Sequence, residues 1–416
     1  LLMTLLPLRA SEHLHEVKYE IRGALARRAE QLEREGHDVI KLNIGNPGAF
    51  GFRMPPSMRV AIVENLHQAD PYSHQKGIFP AREAVVMQQQ NRGVMDVTAD
   101  DVFIGNGVSE LIMLAMRALL NPGDEVLVPS PDYPLWTASV VIHGAKAVHY
   151  PCRPEQGFIP DPVEVERLVT DRTRAIVVIN PNNPSGAVYP REVLTALAGI
   201  AERRHLVLCA DEIYDEMLYD GAEFVPLATL TRRGLCLTFS GLSKVYRACG
   251  LRVGWLVFSG EREHARDYLQ AVDLLASLRL CSNVPGQFAV QTALGGHQSI
   301  FELTRPGGRL HATRAALVES MARSRWLSLD PAPLGAMYGF VRVHAERLPG
   351  GLAAFDDQAF ALDLLERKHV LVAPGSSFNV PYRDHFRVTL LPDADAMVDV
   401  CGRIESLLDE YAVPPA

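Results

Sequence analysis

Four polar segments follow four apolar runs in the middle of the 416-residue chain, each at the point where a run ends. They cover residues 105–110, 180–186, 211–214 and 240–244. Short apolar runs that alternate with helical patterns are typical of a parallel sheet. In such sheets, ligands bind beyond the carboxyl ends of the strands. We therefore expect the four segments to converge on one ligand site.

Two residues in these segments have the chemistry that pyridoxal 5′-phosphate (PLP) requires. This cofactor needs a lysine for a Schiff base, a cradle for its phosphate and an acid beside its ring nitrogen. Lys244, which lies in a loop of small residues, is the predicted Schiff-base lysine. Asp211 ends an apolar strand, where a buried carboxylate without a partner is costly. A protonated ring nitrogen would be its partner.

The phosphate cradle is predicted at the start of a helix. Gly107, Val108 and Ser109 open that helix, and their backbone N–H groups and the helix dipole can hold an anion. Ser243 and Arg252 would add a hydroxyl and a guanidinium. Taken singly, each segment has a plain structural explanation, because glycine-rich turns, proline turns and loop lysines are common. Their common placement at strand ends favours function.

The elements that must position these residues alternate along the chain. The apolar runs predict strands at residues 39–44, 101–104, 125–128, 145–150, 174–180, 206–210, 235–239, 339–343, 370–372 and 386–389. Helices are predicted at 19–35, 109–120, after 134, through most of 259–325, at 357–368 and at 394–411. The pattern indicates an α/β protein with a mostly parallel sheet covered by helices on both faces, plus a smaller α+β domain.

The bulk composition excludes several classes of protein. The net charge is −8, and the basic residues form no stripe, which argues against a nucleic-acid groove. The six cysteines form no CxxC pair, so we predict neither a metal site nor a disulfide framework. The apolar start at residues 1–8 is too short to span a bilayer. We therefore predict a cytoplasmic protein without a membrane partner.

At these residues the sequence resembles the class I and II aminotransferases of PLP fold type I. The resemblance runs from about Tyr19 to the C-terminal helix, and its bacterial alanine (glutamate–pyruvate) branch is the most similar. The motifs that carry it lie at residues 41–47, 104–111, 131–136, 180–186, 210–215 and 241–244. It implies an N-terminal arm with part of the small domain (1–52), a large PLP-binding domain (53–305) and a small C-terminal domain (306–416).

The resemblance also implies a ping-pong transamination between an L-amino acid, with alanine expected, and a 2-oxo acid, with 2-oxoglutarate expected. Lys244 would carry the cofactor and then move the proton at the substrate α-carbon. The reading from the residues leaves other possibilities open. These are an aminotransferase or another PLP enzyme (elimination, decarboxylation or cyclisation) that acts on a specialised or cationic amino acid in secondary metabolism, a PLP-fold regulator, and an inactive homologue.

Carried over position by position, the resemblance implies further cofactor contacts. Tyr133 should stack on the ring, and Asn183 and Tyr214 should hydrogen-bond its phenolic oxygen. The implied phosphate ligands are Val108, Ser109, Ser243, Arg252 and, from the partner subunit of a homodimer, Tyr72. Tyr133 counts with Lys244 and Asp211 as a catalytic residue.

The resemblance implies a substrate site as well. Arg387 should grip the α-carboxylate in a bidentate manner, with help from Asn183 and the backbone of Gly45. Arg279 and Arg22 are candidates for the distal carboxylate of glutamate, although a plain surface ion pair is the favoured explanation for both.

Some positions depart from the family pattern. A hydroxyl residue is usual at Gly241, where Ser240 would partly replace it, and threonine is usual at Ser185. Gly339 stands where a bulkier residue is expected near the substrate mouth, and His74 and Gln75 lie beside Tyr72. These differences leave the side-chain specificity open.

Overall fold

The computed structural model describes residues 8–19 and 23–413. The strands follow the apolar runs because a run that is apolar at every position can be buried on both faces of a sheet. They are β1 (Ile40–Lys41), β2 (Val102–Gly105), β3 (Glu125–Ser130), β4 (Lys146–Pro151), β5 (Thr173–Ile179), β6 (Val207–Asp211), β7 (Leu235–Gly241), β8 (Gly254–Gly260), β9 (Leu327–Ser328), β10 (Tyr338–Val343), β11 (Val370–Leu371), β12 (Ala373–Pro374) and β13 (His385–Thr389).

Helices separate most of these strands. They are α1 (Ala24–Arg34), α2 (Pro56–Asn65), α3 (Phe79–Asn91), α4 (Val108–Leu119), α5 (Pro134–Val141), α6 (Pro162–Arg167), α7 (Arg191–Arg204), α8 (Arg266–Leu278), α9 (Val284–Gly295), α10 (Ile300–Thr304), α11 (Arg309–Arg323), α12 (Gly351–Ala354), α13 (Asp357–Lys368) and α14 (Ala394–Ala412). Helices α2 and α3 were not predicted, although each has a proline in its first turn, a position that suits proline. None of the helices within the described ranges is long and apolar enough to cross a membrane.

The large sheet has the order β2-β8-β7-β6-β5-β3-β4. Its strands pair in parallel except β8, which runs antiparallel to both β2 and β7. The predicted mostly parallel α/β sheet is therefore confirmed. No strand was predicted at residues 254–260, and this was wrong. The apolar run there is bounded by glycines and follows β7 closely, so no intervening helical pattern marks it as a separate strand.

A smaller antiparallel sheet, β12-β13-β10-β9, lies in the C-terminal part of the chain. The short strand β1 pairs in parallel with β11, so the N-terminal segment is joined to the C-terminal α+β unit. Helix α1 is held there by Arg28, whose Nη2 lies 2.9 Å from Glu366 Oε2. Helix α1 begins at Ala24 rather than at residue 19, and residues 20–22 of the predicted helix lie outside the described residues.

The four predicted polar segments directly follow β2, β5, β6 and β7, at the carboxyl ends of these strands. The close approach of backbones at this edge depends on glycine. A Cβ on Gly254, at the start of β8, would lie 2.6 Å from the backbone N of Val108. The start of α4 therefore contacts the sheet backbone directly.

A buried ion-pair network anchors the segment that follows β6. Arg92, at the end of α3, contacts Asp215 through Nη1 at 2.5 Å and Glu216 through Nη2 at 3.0 Å. Only 16% of the Arg92 side chain and 3% of the Asp215 side chain are exposed. Because Asp215 lies four residues after Asp211, the network fixes the chain that leaves the ligand edge of the sheet.

We expect Arg92→Met to lower the free energy of unfolding by about 3–5 kcal/mol, because it leaves buried carboxylates without a counter-charge. The matched control is Arg34→Met. Arg34 lies 3.7 Å from Glu30 in an exposed pair on α1, so its loss should cost less than about 1 kcal/mol. Urea unfolding of both variants measures the difference. Equal losses would show that the Arg92 network does not stabilise the fold.

Candidate active site

One cavity of about 960 Å³ opens at the carboxyl ends of the strands. The residues that the resemblance implies for the cofactor and for the α-carboxylate all line it, with the exception of Tyr72. The residues are Gly45, Val108, Ser109, Tyr133, Asn183, Asp211, Tyr214, Ser243, Lys244, Arg252 and Arg387. The structure therefore brings together groups from the large sheet, the small sheet and the N-terminal segment.

Lys244 lies three residues after the end of β7, with its side chain half-buried. Its Nζ donates a hydrogen bond of 2.7 Å to the carbonyl oxygen of Gly45, which follows β1 by four residues. The amine is thus held between the two parts of the chain, inside the cavity. A primary amine in this position could form a Schiff base with an aldehyde ligand.

Asp211 is the last residue of β6 and is 3% exposed. Its Oδ2 accepts a hydrogen bond of 2.9 Å from Trp136 Nε1, whereas its buried Oδ1 has no partner in the described chain. Burial raises the pKa of Asp211 to about 6, although the Trp136 hydrogen bond opposes the shift. A buried carboxylate oxygen without a partner fits a ligand N–H that carries positive charge.

The start of α4 supplies a site for an anion. Gly107, with a φ of 83°, precedes the helix, and a Cβ there would lie 2.4 Å from Nη2 of Arg252. The missing side chain lets the guanidinium approach the helix N-terminus. Ser109 and Ser243 line the same cavity. N–H groups, hydroxyls and a guanidinium together match a phosphate.

Arg387 lies on β13 and is 1% exposed. Its Nη1 donates to Asn183 Oδ1 at 2.8 Å, and its Nη2 donates to the carbonyl of Asn43. The guanidinium packs against the rings of Tyr338 at 4.3 Å and Phe378 at 4.7 Å. Its Nε has no hydrogen-bond partner, and no ion pair joins the guanidinium to a carboxylate of the described chain. A buried guanidinium of this kind suits an incoming carboxylate.

Sequence reasoning missed two tyrosines that line the cavity. The hydroxyl of Tyr19 lies 3.1 Å from that of Tyr133, and the hydroxyl of Tyr338 lies 2.8 Å from that of Tyr214. Their partners are more than a hundred positions away along the chain. No local pattern could have revealed either pair.

Two interpretations of departures from the family pattern were wrong. A Cβ on Gly339 would lie 2.6 Å from Leu317 Cδ2, so this glycine packs between the small sheet and α11 rather than at the substrate mouth. Successive residues of a strand point to opposite faces, and Tyr338 takes the cavity side. At Gly241 a Cβ would lie 2.7 Å from the Val253 carbonyl oxygen, which leaves no room for a hydroxyl residue. Ser240 is buried outside the cavity lining.

The remaining candidates lie elsewhere. Arg279 forms an ion pair with Glu110, in which Nε and Oε1 are 3.1 Å apart, as the ion-pair explanation of this residue predicted. It does not line the cavity. His74 accepts a hydrogen bond from the backbone of Lys76 at 3.1 Å. The side chain of Tyr72 is 77% exposed. Arg22 lies outside the described residues.

The donors and acceptors of this cavity fit PLP. The amine of Lys244, the free Oδ1 of Asp211 and the anion site at α4 are the three features that the cofactor requires. The ring of Tyr133 and the side chains of Ile179 and Ile213 supply apolar walls for the flat ring of the cofactor. Among the residues that the structure describes, no cluster of His, Cys, Asp and Glu could hold a metal ion.

Comparison with known proteins gives a consistent result. A model of the family "Aminotransferase class I and II" matches residues 37–404. The chain is 48% identical to the "Glutamate-pyruvate aminotransferase AlaA" of Escherichia coli over 97% of this chain and 99% of that protein. It is 46% identical to an alanine aminotransferase of Mycobacterium tuberculosis, over 96% of this chain and 92% of that protein.

Solved structures agree in fold. A crystal structure of an aminotransferase from Escherichia coli superimposes with a TM-score of 0.95 at 46% identity, over 98% of this chain and 100% of that one. The alanine aminotransferase of Pyrococcus furiosus superimposes with a TM-score of 0.90 at 35% identity, over 97% of this chain and 100% of that one.

The raised pKa of Asp211 makes a prediction about the cofactor-free protein. An unfolded aspartate has a pKa near 3.9. Between about pH 4 and pH 6 the folded state therefore binds more protons at Asp211 than the unfolded chain does, and stability falls as the pH rises through this window. Above about pH 6, the ionised Asp211 lowers the free energy of unfolding by up to about 3 kcal/mol.

Asp211→Asn should therefore stabilise the cofactor-free protein at pH 8, and this gain should vanish as the pH falls towards 4.5. Turnover should be lost at every pH. Urea unfolding across this pH range measures the gain, and Asp171→Asn at an exposed position is the control that should show none. A variant that is equally or less stable at pH 8 would contradict the conclusion that the buried charge of Asp211 destabilises the cofactor-free protein.

Proposed function

This chain belongs to the class I and II aminotransferases, and on that premise we propose that it transfers the amino group of L-alanine to 2-oxoglutarate. The products are pyruvate and L-glutamate, and the reaction runs in either direction. Enzymes of this family use PLP, and we propose that the cavity residues described above hold it in this chain.

One observation carries the proposal. A single cavity holds the amine of Lys244, the unpartnered carboxylate oxygen of Asp211 and the buried guanidinium of Arg387. The Asp211 oxygen and the Arg387 guanidinium are costly to bury without a ligand of complementary charge. The α-carboxylate of an amino acid matches Arg387, a cationic ring nitrogen matches Asp211, and the aldehyde of the cofactor matches the amine of Lys244.

The roles of the residues follow from their positions. When bound, PLP supplies an electron sink for the carbanion that forms at the substrate α-carbon. Arg387 holds the α-carboxylate and so fixes the α-carbon in the cavity. Lys244 removes the proton from that carbon and returns protons to the bound molecule. Asp211 keeps the ring nitrogen protonated, and Tyr133 packs on the ring.

The substrate assignment rests on the relatives named for alanine and for glutamate with pyruvate. A side chain as small as that of alanine needs no further polar partner, whereas glutamate brings a second carboxylate. Of the two arginines considered for that carboxylate, Arg279 is held by Glu110, and Arg22 lies outside the described residues.

We further propose that the active unit is a homodimer in which Tyr72 reaches the phosphate of the partner's site. The exposed aromatic side chain of Tyr72 supports this, since within the described residues it makes no hydrogen bond and no ring contact. Apolar side chains on the neighbouring α2 and α3 are also exposed, as an interface would require. They include Val60, Val63, Phe79 and Met87.

The domain division stays a proposal with boundaries at residues 52 and 305. The large sheet lies between Val102 and Gly260, and the small sheet lies between Leu327 and Thr389. The pairing of β1 with β11 supports the inclusion of the N-terminal segment in the small domain.

The substrate assignment predicts a ranking of donors. We expect kcat/KM to be highest for alanine and glutamate, with aspartate, aromatic, branched-chain and arginine-like amino acids well below. Steady-state assays with 2-oxoglutarate or pyruvate as acceptor measure the ranking. If alanine and glutamate both rank below another donor, the alanine assignment fails while the aminotransferase assignment stands.

Two controls test the role of Lys244 independently of the substrate. Lys244→Ala should have no measurable turnover, and borohydride treatment of the wild-type protein should attach the cofactor to the peptide that contains Lys244. Label on another lysine would overturn the role of Lys244 without bearing on the substrate.

The homodimer predicts complementation between two defective subunits. Tyr72→Phe and Lys244→Ala subunits, mixed so that Lys244→Ala is in excess, should form hybrids in which one site has both native residues. Activity per Lys244 should then rise to the wild-type level, because the intact Tyr72 comes from the other chain. Unchanged activity in verified hybrids, or a fully active monomer in sedimentation, would contradict the shared site.

A further inference from the structure

We propose that Tyr338 is a positioning residue whose hydroxyl donates to Tyr214 and thereby directs the Tyr214 proton towards the phenolic oxygen of the cofactor. This inference rests on the proposed function, since it assumes that PLP occupies the cavity. Tyr338 would then link the part of the cavity that binds the cofactor, through Tyr214, with the part that binds the substrate carboxylate, through Arg387.

The two hydroxyls lie 2.8 Å apart. Tyr214 follows β6 and is 3% exposed, while Tyr338 begins β10 and is 2% exposed. Their rings meet edge to face, with centroids 5.7 Å apart and an interplanar angle of 83°. Within the described ranges, neither hydroxyl has another hydrogen-bond partner.

Proton counting fixes the direction of this hydrogen bond once an acceptor enters the cavity. Each phenol has one proton to donate. If Tyr214 donated to Tyr338, the Tyr214 oxygen could offer no proton to a ligand. If Tyr338 donates instead, the proton of Tyr214 is free to point into the cavity. Burial raises the pKa of Tyr214, and Tyr338 adds to the shift, so Tyr214 keeps its proton.

The position of Tyr338 is tightly defined. Its ring packs on the guanidinium of Arg387 at 4.3 Å, and a Cβ on Gly45 would lie only 2.2 Å from its hydroxyl oxygen. Glycine at position 45 therefore makes room for the hydroxyl. The same Gly45 accepts the hydrogen bond from Lys244 Nζ. The Tyr338 ring thus touches the substrate arginine while its hydroxyl serves the cofactor through Tyr214.

A second hydroxyl behind Tyr214 should strengthen its donation, because hydrogen bonds in a chain polarise one another. Stronger donation stabilises the ionised phenolic oxygen of the cofactor and makes that oxygen less basic. Without Tyr338, the bound cofactor should therefore retain its proton to higher pH. The pH at which the visible absorption of the bound cofactor converts from one form to the other reports this directly.

The test is Tyr338→Phe, which keeps the ring on Arg387 and removes only the hydroxyl. We expect the midpoint of the absorption change to rise by about half a pH unit, the size of one modest hydrogen bond. Tyr214→Phe should shift it further in the same direction. Tyr219→Phe is the matched control, since this buried hydroxyl donates to Ala336 O outside the cavity and should leave the midpoint unchanged.

Gly45→Ala supplies a second, independent variant. Its new Cβ displaces the Tyr338 hydroxyl, so it should raise the midpoint in the native background. In the Tyr338→Phe background the nearest ring atom is 3.1 Å away, and the added shift should be much smaller. This coupling keeps the inference testable even if Tyr338→Phe folds poorly.

The possible outcomes distinguish a failure of the role proposed for Tyr338 from a failure of the proposed function. A shift in Tyr214→Phe without one in Tyr338→Phe or Gly45→Ala would overturn the role of Tyr338 and leave the proposed function intact. Equal shifts for Tyr338→Phe and the Tyr219→Phe control would also overturn it, since both would then reflect loosened packing. Wild-type protein that binds no PLP would overturn the proposed function and this inference together.

Discussion

The burial of charged groups that form no ion pair within the described chain is the constraint on which this site depends. Asp211 is 3% exposed with one carboxylate oxygen unpartnered, and Arg387 is 1% exposed without an ion-pair partner in the described chain. Isolated buried charges of this kind are strongly unfavourable. They persist because β6 and β13 are fixed by sheets on either side of the cavity. The stability that these sheets provide offsets a local cost that only ligands can remove.

Close packing at glycine residues makes the cavity possible. Gly254 lets the start of α4 contact β8, Gly107 admits the Arg252 guanidinium, and Gly45 admits the Tyr338 hydroxyl. At each of these positions a Cβ would lie within 2.6 Å of a neighbouring atom. Glycine therefore acts here through the space it leaves, which brings N–H groups, a cation and a hydroxyl to the same cavity.

A short hydrogen-bonded bridge couples the two halves of the site. Asp132 Oδ1 accepts from Asn379 Nδ2 at 2.9 Å, and Ser130 Oγ donates to the Asn379 carbonyl at 2.7 Å. The backbone N of Asp132 also donates to the carbonyl of Phe378 at 3.1 Å. Because Phe378 packs on Arg387, this bridge relates the position of Arg387 to that of Tyr133, the residue after Asp132.

The sequence by itself determined the α/β class, most strands of the large sheet and the residues that follow them. Those inferences depend on local patterns, since apolar runs define strands and the polar segments adjoin them in the chain. The tertiary structure alone decided the antiparallel insertion of β8, the inward position of Gly339, and the pairing of Tyr133 with Tyr19 and Tyr214 with Tyr338. Such contacts join residues that are far apart in the chain. Their geometry follows from how the two sheets pack together, which no local pattern records.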